Sequence, residues 1–338
     1  MQTKLEDVRM RAFQATCRIV LVDGGDERVL QASAFVQRTS AIQPVLLGNR
    51  ELISNHIRSL GLPIQPEIID PQESGLVDRF VPVYQEKMRS KGKAVPEYES
   101  AAERLKNPSY FGAVLLEAGI VDGMLGGASL PTAEILRASL EVVGMAEDAQ
   151  IISGSFCMFL PAALPSGNDV LVFSDCAVVP DPDAGQLAAI AMNAVKVAKK
   201  VAGLDPVVAF LSFSTKGSAK HPKLDKVIAA KELLSRQLPD AAIDGELQAD
   251  AAIIPEISAR KAPQSAAGGR ANILIFPDLN SGNISYKLVE RLANVKALGV
   301  ILEGFRKPVN DLSRGCSVDD VIDMMCVTAL QTARFEKQ

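Results

Sequence analysis

Apolar runs of a strand's length alternate with apolar residues at helical spacing through most of the chain. Cys17–Val22 leads into a helical stretch over Arg28–Val36, and Pro44–Leu47 leads into another over Arg50–Leu60. The pairing returns at Val207–Ser212 with Pro222–Leu238, and at Ala271–Phe276 with Asn283–Leu292. Thr132–Val143 reads as a helix. From Val318 onward, Val321, Ile322, Met325, Cys326, Ala329 and Leu330 mark one face of a long amphipathic helix. Such alternation predicts an α/β fold with largely parallel sheets and right-handed crossovers. Val81–Lys106, rich in Lys, Glu and Arg with scattered Pro, reads as a solvated helical excursion rather than core. There is no fixed-period repeat and no low-complexity tract.

At 338 residues the chain is long for a single core, so two domains are expected, with a break near Glu147–Ile152. Hydrophobic residues at 48% against 22% charged describe a soluble globular protein rather than a disordered one. A formal net charge of -4 gives no reason to expect nucleic acid or an anionic membrane as a partner. Four Tyr and no Trp argue further against a base-stacking surface. The N-terminus carries Glu6 and Asp7 and does not read as a signal peptide, and no apolar run approaches a membrane span. Five scattered cysteines without a C-x-x-C pair fit reduced thiols in a cytoplasmic protein. His56 and His221, far apart in sequence, leave little material for a zinc site or a Ser-His-Asp triad, so no metal is expected.

Chemistry concentrates in Lys307–Asp320, where Ser313, Arg314, Cys316 and Asp320 occupy a loop running into the last helix. A helix start offers free N–H groups and the positive end of a dipole, which suits a phosphate or an oxyanion. Arg314 adds a fork of donors matched to phosphate oxygens. Ser317 with Asp320 three residues on is also a capping box, which by itself accounts for both. Gly315 serves equally as a turn glycine, and Cys316 as a small buried hydrophobe. Ser214-Thr215-Lys216-Gly217-Ser218 lies between a strand and a helix, with small residues and one mobile cation, but lacks Walker A spacing. It reads as an ordinary βα turn or an anion contact. Asn280–Lys287 has the same strand–loop–helix form, and Gly123–Gly127 lacks the dinucleotide G-x-G-x-x-G spacing.

The Lys307–Asp320 stretch resembles the C-terminal signature of the phosphotransacetylases (phosphate acetyltransferases). Four further blocks follow the family order: Ser174–Pro182, Leu211–Ser218, Asp244–Ala252 and Phe276–Lys287. The likeness is strong from about Ser153 to the end and looser before Lys106. It implies two α/β domains of the isocitrate/isopropylmalate dehydrogenase type. Residues 1–150 with 300–338 would form one, residues 151–299 the other, and the active site would lie in the cleft between them.

The resemblance implies exchange of an acetyl group between coenzyme A and phosphate, with no tightly bound cofactor. It assigns Asp320 as base, Ser313 to stabilise the tetrahedral intermediate, and Arg314 with Arg137 to hold phosphate. Arg89 is the nearest match to a second phosphate-binding arginine, or one more surface cation. Ser214, Thr215, Lys216, Gly217 and Ser218 would contact phosphate or coenzyme, and Asn283, Tyr286, Lys287 and Cys316 would contact coenzyme A. Common members carry paired threonines before the Arg137 helix. Here the sequence is Ser129-Leu130-Pro131-Thr132, a departure shared with the ethanolamine-utilisation type. The likeness is to the short form, usually a homodimer, in central acetate metabolism or in a bacterial microcompartment. Propionyl or butyryl transfer and a non-catalytic acetyl-coenzyme A sensor are the rival functions. A rival chemistry is a ping-pong route through Cys316, whose thiol a helix start would acidify.

Overall fold

The computed structural model describes residues 4–73 and 75–332. In chain order the elements begin α1 (Lys4–Phe13), β1 (Cys17–Leu21), α2 (Glu27–Thr39), β2 (Ile42–Leu47), α3 (Arg50–Ser59) and β3 (Glu67–Ile69). Next come α4 (Leu76–Ser90), α5 (Tyr98–Leu105), α6 (Pro108–Glu117), β4 (Gly123–Gly126) and α7 (Thr132–Val142). A second run holds β5 (Ser153–Phe159), β6 (Val170–Ser174), α8 (Ala184–Val197), β7 (Val207–Leu211), α9 (Asp225–Gln237) and β8 (Ala242–Leu247). It continues with α10 (Ala249–Ile253), α11 (Pro255–Lys261), β9 (Ile273–Ile275), α12 (Leu279–Leu292) and β10 (Lys296–Glu303). The chain closes with β11 (Val309–Asp311) and α13 (Val318–Thr332).

These elements form two compact units. One comprises Arg9–Glu147 with Phe305 onward; the other comprises Asp148–Gly304 with the chain's start as far as Val8. The second break therefore falls after β10, where the family likeness put it near Ala297–Val300, inside that strand. The reason is pairing: β10 runs antiparallel to β5 along its length, from Lys296 opposite Phe159 to Glu303 opposite Ser153, so it stays whole.

In the Arg9–Glu147 unit the sheet order is β11-β4-β1-β2-β3, parallel throughout. Helices cover strands of this kind on both faces, so the strands read as nearly unbroken apolar runs. α13 packs against β1, β4 and β11 and is buried at every position from Val321 to Leu330, so the amphipathic face read from sequence is too narrow. Asp323, within that stretch, accepts a hydrogen bond from Arg9 Nε at 2.6 Å. Val81–Lys106 also departs from expectation. Its helix α4 buries Val77, Phe80, Val81, Tyr84 and Met88, and Phe80 meets Phe111 of α6 edge to face at 5.6 Å. The charges that suggested a solvated excursion occupy the outer face of an amphipathic helix.

The Asp148–Gly304 unit has a sheet of order β10-β5-β6-β9-β7-β8, in which β5 runs antiparallel to both neighbours and β6, β9, β7 and β8 are mutually parallel. Two helix starts differ from the expected ones. α12 begins a turn earlier than Asn283 because Asp278 caps it, accepting from the Ser281 N–H at 2.9 Å. The segment from Pro222 opens as a 3-10 turn over Pro222–Leu224 before α9. No helix among the described residues is long and apolar enough to cross a membrane.

Gly127, just past β4, sits at φ +102°, and a Cβ there would lie 2.3 Å from Asp311 Oδ1 and 2.6 Å from the Leu312 carbonyl oxygen. Gly61 also has positive φ, at +63°, but has open space around it. Gly127→Ala therefore combines a backbone penalty of about 1–3 kcal/mol with a clash against backbone, whereas Gly61→Ala incurs the first alone. Urea unfolding should show the larger loss at Gly127; equal losses at the two sites would contradict the tight β4–β11 junction.

Candidate active site

Strands β1, β4 and β11 lie side by side and parallel, and the chain leaves their C-terminal ends in three polar segments. In open α/β sheets this edge is where ligands are met. Asp23, two residues past β1, is buried and gathers the segment that follows β4. Its Oδ2 accepts the N–H groups of Gly127 at 2.8 Å and Ala128 at 3.1 Å. Its Oδ1 accepts those of Ser129 at 3.1 Å and Leu130 at 3.2 Å, together with the Ser129 hydroxyl. That segment then opens α7.

Arg28, in the first turn of α2, ties the same segment to the one after β11. Its Nη2 donates to the Ala128 carbonyl at 2.8 Å, and its Nη1 to the carbonyls of Arg314 at 2.8 Å and Cys316 at 3.0 Å. Asp26, the N-cap of α2, pairs with the guanidinium at 2.7 Å. The Asp26 hydrogen bond holds Arg28 above its ordinary pKa, and Arg28 holds the Asp26 carboxyl below its own.

With its backbone so fixed, the segment presents Ser313 and Arg314 to solvent. Ser313 Oγ accepts a long bond from the Gly315 N–H at 3.3 Å. Neither Arg314 nor Arg137, which stands on the open face of α7, makes an ion pair among the described residues. Arg89 differs: it is exposed and paired with Glu86 one turn back on α4, a surface pair of small energetic worth.

Ser317 and Asp320 form the capping box in full. The Ser317 N–H and hydroxyl each donate to Asp320 Oδ2 at 2.8 Å, and the Asp320 N–H donates to Ser317 Oγ at 3.2 Å. Cys316 matches the small buried hydrophobe rather than the acidified thiol of the rival route. Only 7% exposed, it is pushed above the ordinary thiol pKa by burial; Arg28 opposes that shift, and Asp26 and Asp320 reinforce it.

The Ser214–Ser218 loop lies in the other unit, and its donors already face internal acceptors. Glu246 accepts the Ser214 hydroxyl at 3.0 Å and the Gly217 N–H at 2.7 Å. Thr215 N–H donates to Ser218 Oγ at 3.0 Å, the Thr215 hydroxyl to Gln248 at 3.3 Å, and Lys216 Nζ to Asp244. Burial raises the Asp244 carboxyl, but bonds from Lys216, Ser265 and the Gly245 N–H outweigh it and hold the group low. Lys216, the cation that the sequence reading offered to phosphate or coenzyme, is thus already paired with a carboxylate. On α12, Asn283 donates to the Cys176 carbonyl at 3.0 Å, and Tyr286 stacks on Phe156 with ring centres 4.0 Å apart. Both hold the helix to its sheet, while Lys287 lies over the Tyr286 ring at 5.3 Å.

Sequence reasoning missed Asp23, Arg28, Asp311 and Glu246 as organisers. The available signal was an acid at a strand's end: Asp23 follows Cys17–Val22 directly, and Asp311 follows Val309-Asn310. Arg28 gave no comparable signal, since the carbonyls of Ala128 and Arg314 that it ties together lie 100 and 286 positions away in sequence. Among the described residues no group of three or more His, Cys, Asp or Glu is placed to hold a metal ion.

Comparison with known proteins agrees with this architecture. The phosphate acetyltransferase of Thermoanaerobacterium thermosaccharolyticum is 45% identical over 314 residues, covering 93% of this chain and 94% of that one. Among solved structures, the EutD phosphotransacetylase from Staphylococcus aureus superposes with TM-score 0.89 at 37% identity, covering 98% of this chain and all of that one. A more distant structure, a putative 4-hydroxythreonine-4-phosphate dehydrogenase from Salmonella typhimurium, has TM-score 0.54 at 11% identity over 95% of this chain and all of that one, and shows a dehydrogenase-like α/β fold alone. The family described as Phosphate acetyl/butaryl transferase matches residues 4–329, nearly the whole length, and this chain belongs to it.

Proposed function

We propose that the protein carries out acetyl-coenzyme A + phosphate ⇌ acetyl phosphate + coenzyme A by direct attack of the coenzyme thiolate on the acyl phosphate, both substrates being bound together. As a member of its family it is an acyltransferase. The observation that carries the mechanistic reading is the contrast among cations: Arg314 and Arg137 are uncommitted, whereas Lys216 is bound to a buried carboxylate. Arginine forks suit phosphoryl oxygens and steady the leaving phosphate's charge. Ser313, exposed beside Arg314, supplies a donor for the oxyanion of the tetrahedral intermediate.

Asp320 takes the thiol proton in this scheme. Free carboxylates titrate near ~3.9 and free thiols near ~8.5, so the transfer is uphill unless cations lower the thiol. Arg314 is the exposed cation in the same segment, and the capping box holds Asp320 in one orientation. The raised thiol of buried Cys316 supports the direct route over an acyl-cysteine, because a nucleophile must be exposed as thiolate. Coenzyme A is a substrate here, and no tightly bound cofactor is invoked. The remainder of the reading is a homodimer working in the cytoplasm or in a microcompartment for ethanolamine breakdown, with no nucleic acid or membrane partner. Ile284, Leu288 and Leu292, an exposed apolar stripe on α12, support self-association.

Asp320→Asn should lower turnover by about 10²–10⁴-fold, the usual contribution of a general base, with the acetyl phosphate KM changed less than about threefold. Unchanged turnover would remove Asp320 from the mechanism. Cys316→Ala should keep most activity, and quenched reactions should yield no acyl-enzyme by mass spectrometry; a trapped thioester on Cys316 would establish the ping-pong route instead. Acetyl, propionyl and butyryl phosphate should rank in that order in kcat/KM, each added methylene changing it by an amount worth about 1–3 kcal/mol. A butyryl maximum would move the substrate class within the family, and no thioester from any of the three would leave the sensor.

A further inference from the structure

The last residue of β11, Asp311, is used by nothing in the scheme above, yet it joins the parts of that scheme. It lies in register with Gly126 and is 2% exposed. The Thr132 hydroxyl, at the start of α7, donates to its Oδ2 at 2.6 Å. Its Oδ1 is buried without a hydrogen-bond partner and lies against the bare face of Gly127. Burial, reinforced by Asp23 and opposed by the Thr132 bond, pushes the carboxyl up to about 7. Asp23 is the titratable group that bears on it. β4 meets it with glycine, α7 meets it with Thr132, and α13 meets β11 through Thr328 and Gln331 at Asn310.

A half-satisfied buried carboxyl destabilises the fold, and an apolar side chain would suit a covered strand better. The position gains something else. Ser313 and Arg314 follow Asp311 by two and three residues, and Arg137 follows Thr132 by five on the same helix. The Thr132–Asp311 bond is the direct side-chain link between the strand end that delivers the first pair and the helix that delivers the second. We propose that Asp311 is a positioning residue for acyl transfer, acting through Thr132 to fix the spacing between Arg137 and the Ser313–Arg314 pair. This rests on the reading that those three groups hold the acyl phosphate. Displacement of a reacting group by an ångström costs about 10²-fold in rate, so a single well-placed bond is enough to matter.

The test compares Thr132→Val, Thr132→Ser, Asp311→Ala and the Thr132→Val/Asp311→Ala double variant in coenzyme A-dependent thioester formation from acetyl phosphate. Thr132→Val and Asp311→Ala should each lower kcat at least about tenfold with the coenzyme A KM within about twofold, and the double variant should be no slower than the slower single one. Thr132→Ser, which keeps the hydroxyl, should restore turnover to within about threefold of the parent. Additive losses, or wild-type turnover in Thr132→Val, would overturn the proposal. Arg137→Gln and Ser313→Ala run alongside separate the two failures. If those are crippled while Thr132→Val is not, only the positioning role falls; if they turn over normally, the reading of the site has failed.

Thermal unfolding of Asp311→Asn checks the placement independently of activity. A carboxyl whose folded pKa is raised loses stabilisation as pH rises from its unfolded value near ~3.9 towards about 7. The Tm of Asp311→Asn should therefore gain on the parent over that interval and stay level above it. A constant difference would mean that Asp311 is not held as a buried acid, and would also overturn the proposal.

Discussion

A single buried carboxylate, Asp23, holds the segment on which the candidate site rests. Backbone N–H groups just past a strand have no ladder partner and need an acceptor. Asp23 supplies two oxygens to four of them in succession, from Gly127 to Leu130. Hydrogen bonds to a charged group are worth about 1.5–3 kcal/mol each, more than neutral ones, so the segment has one favoured path. α7 starts from that path, and Arg28 reaches the Ala128 carbonyl within it while holding Arg314 and Cys316 by theirs. The backbone carrying Ser313 and Arg314 is thereby fixed by groups that leave both side chains in solvent.

The same device recurs in the other unit. Asp175, at the end of β6, accepts N–H groups from Gly154, Ala177, Val178 and Val179, and Glu246 accepts from the Ser214–Ser218 loop. An anion-binding nest and a nest filled by the protein's own carboxylate have the same sequence signature: small residues, hydroxyls and a cation after a strand. They differ in whether an internal acid occupies the nest, and that acid sits on a neighbouring strand about thirty positions away. Lys216 makes the point at one residue. It reads as a contact to phosphate or coenzyme, and it is paired with Asp244.

That distinction measures what the sequence made legible. Local pattern sufficed where a property is local: the strand–helix alternation, the Ser317–Asp320 cap and the helix that follows were all readable from spacing. Family likeness reached further, to the dehydrogenase-like form of that α/β fold and the acyltransferase assignment. Long-range partnership was not readable. Charged residues in Val81–Lys106 hid a core face because apolar and polar positions interleave on α4, and α13 looked one-sided because Asp323 and Thr328 are polar yet buried. Asp323 is tolerated there because Arg9, from the first helix, meets it, and nothing in 314 residues of separation announces the pair.

The proposed proton chemistry draws on the same allocation of charge. Deprotonating a thiol by a carboxylate requires raising the acid or lowering the thiol, and the two demand opposite surroundings. The protein uses both environments but at different groups. Asp311, buried without a cation, has its carboxyl pushed up, and Arg314 stands in solvent as an unneutralised charge. Asp320 is half-buried and bonded to Ser317 through the capping box. In the proposed scheme the coenzyme thiol gives up its proton only where its sulfur approaches a cation. On that proposal, proton transfer is tied to the geometry in which the sulfur already faces the acyl carbon, and a thiolate forms where it can react.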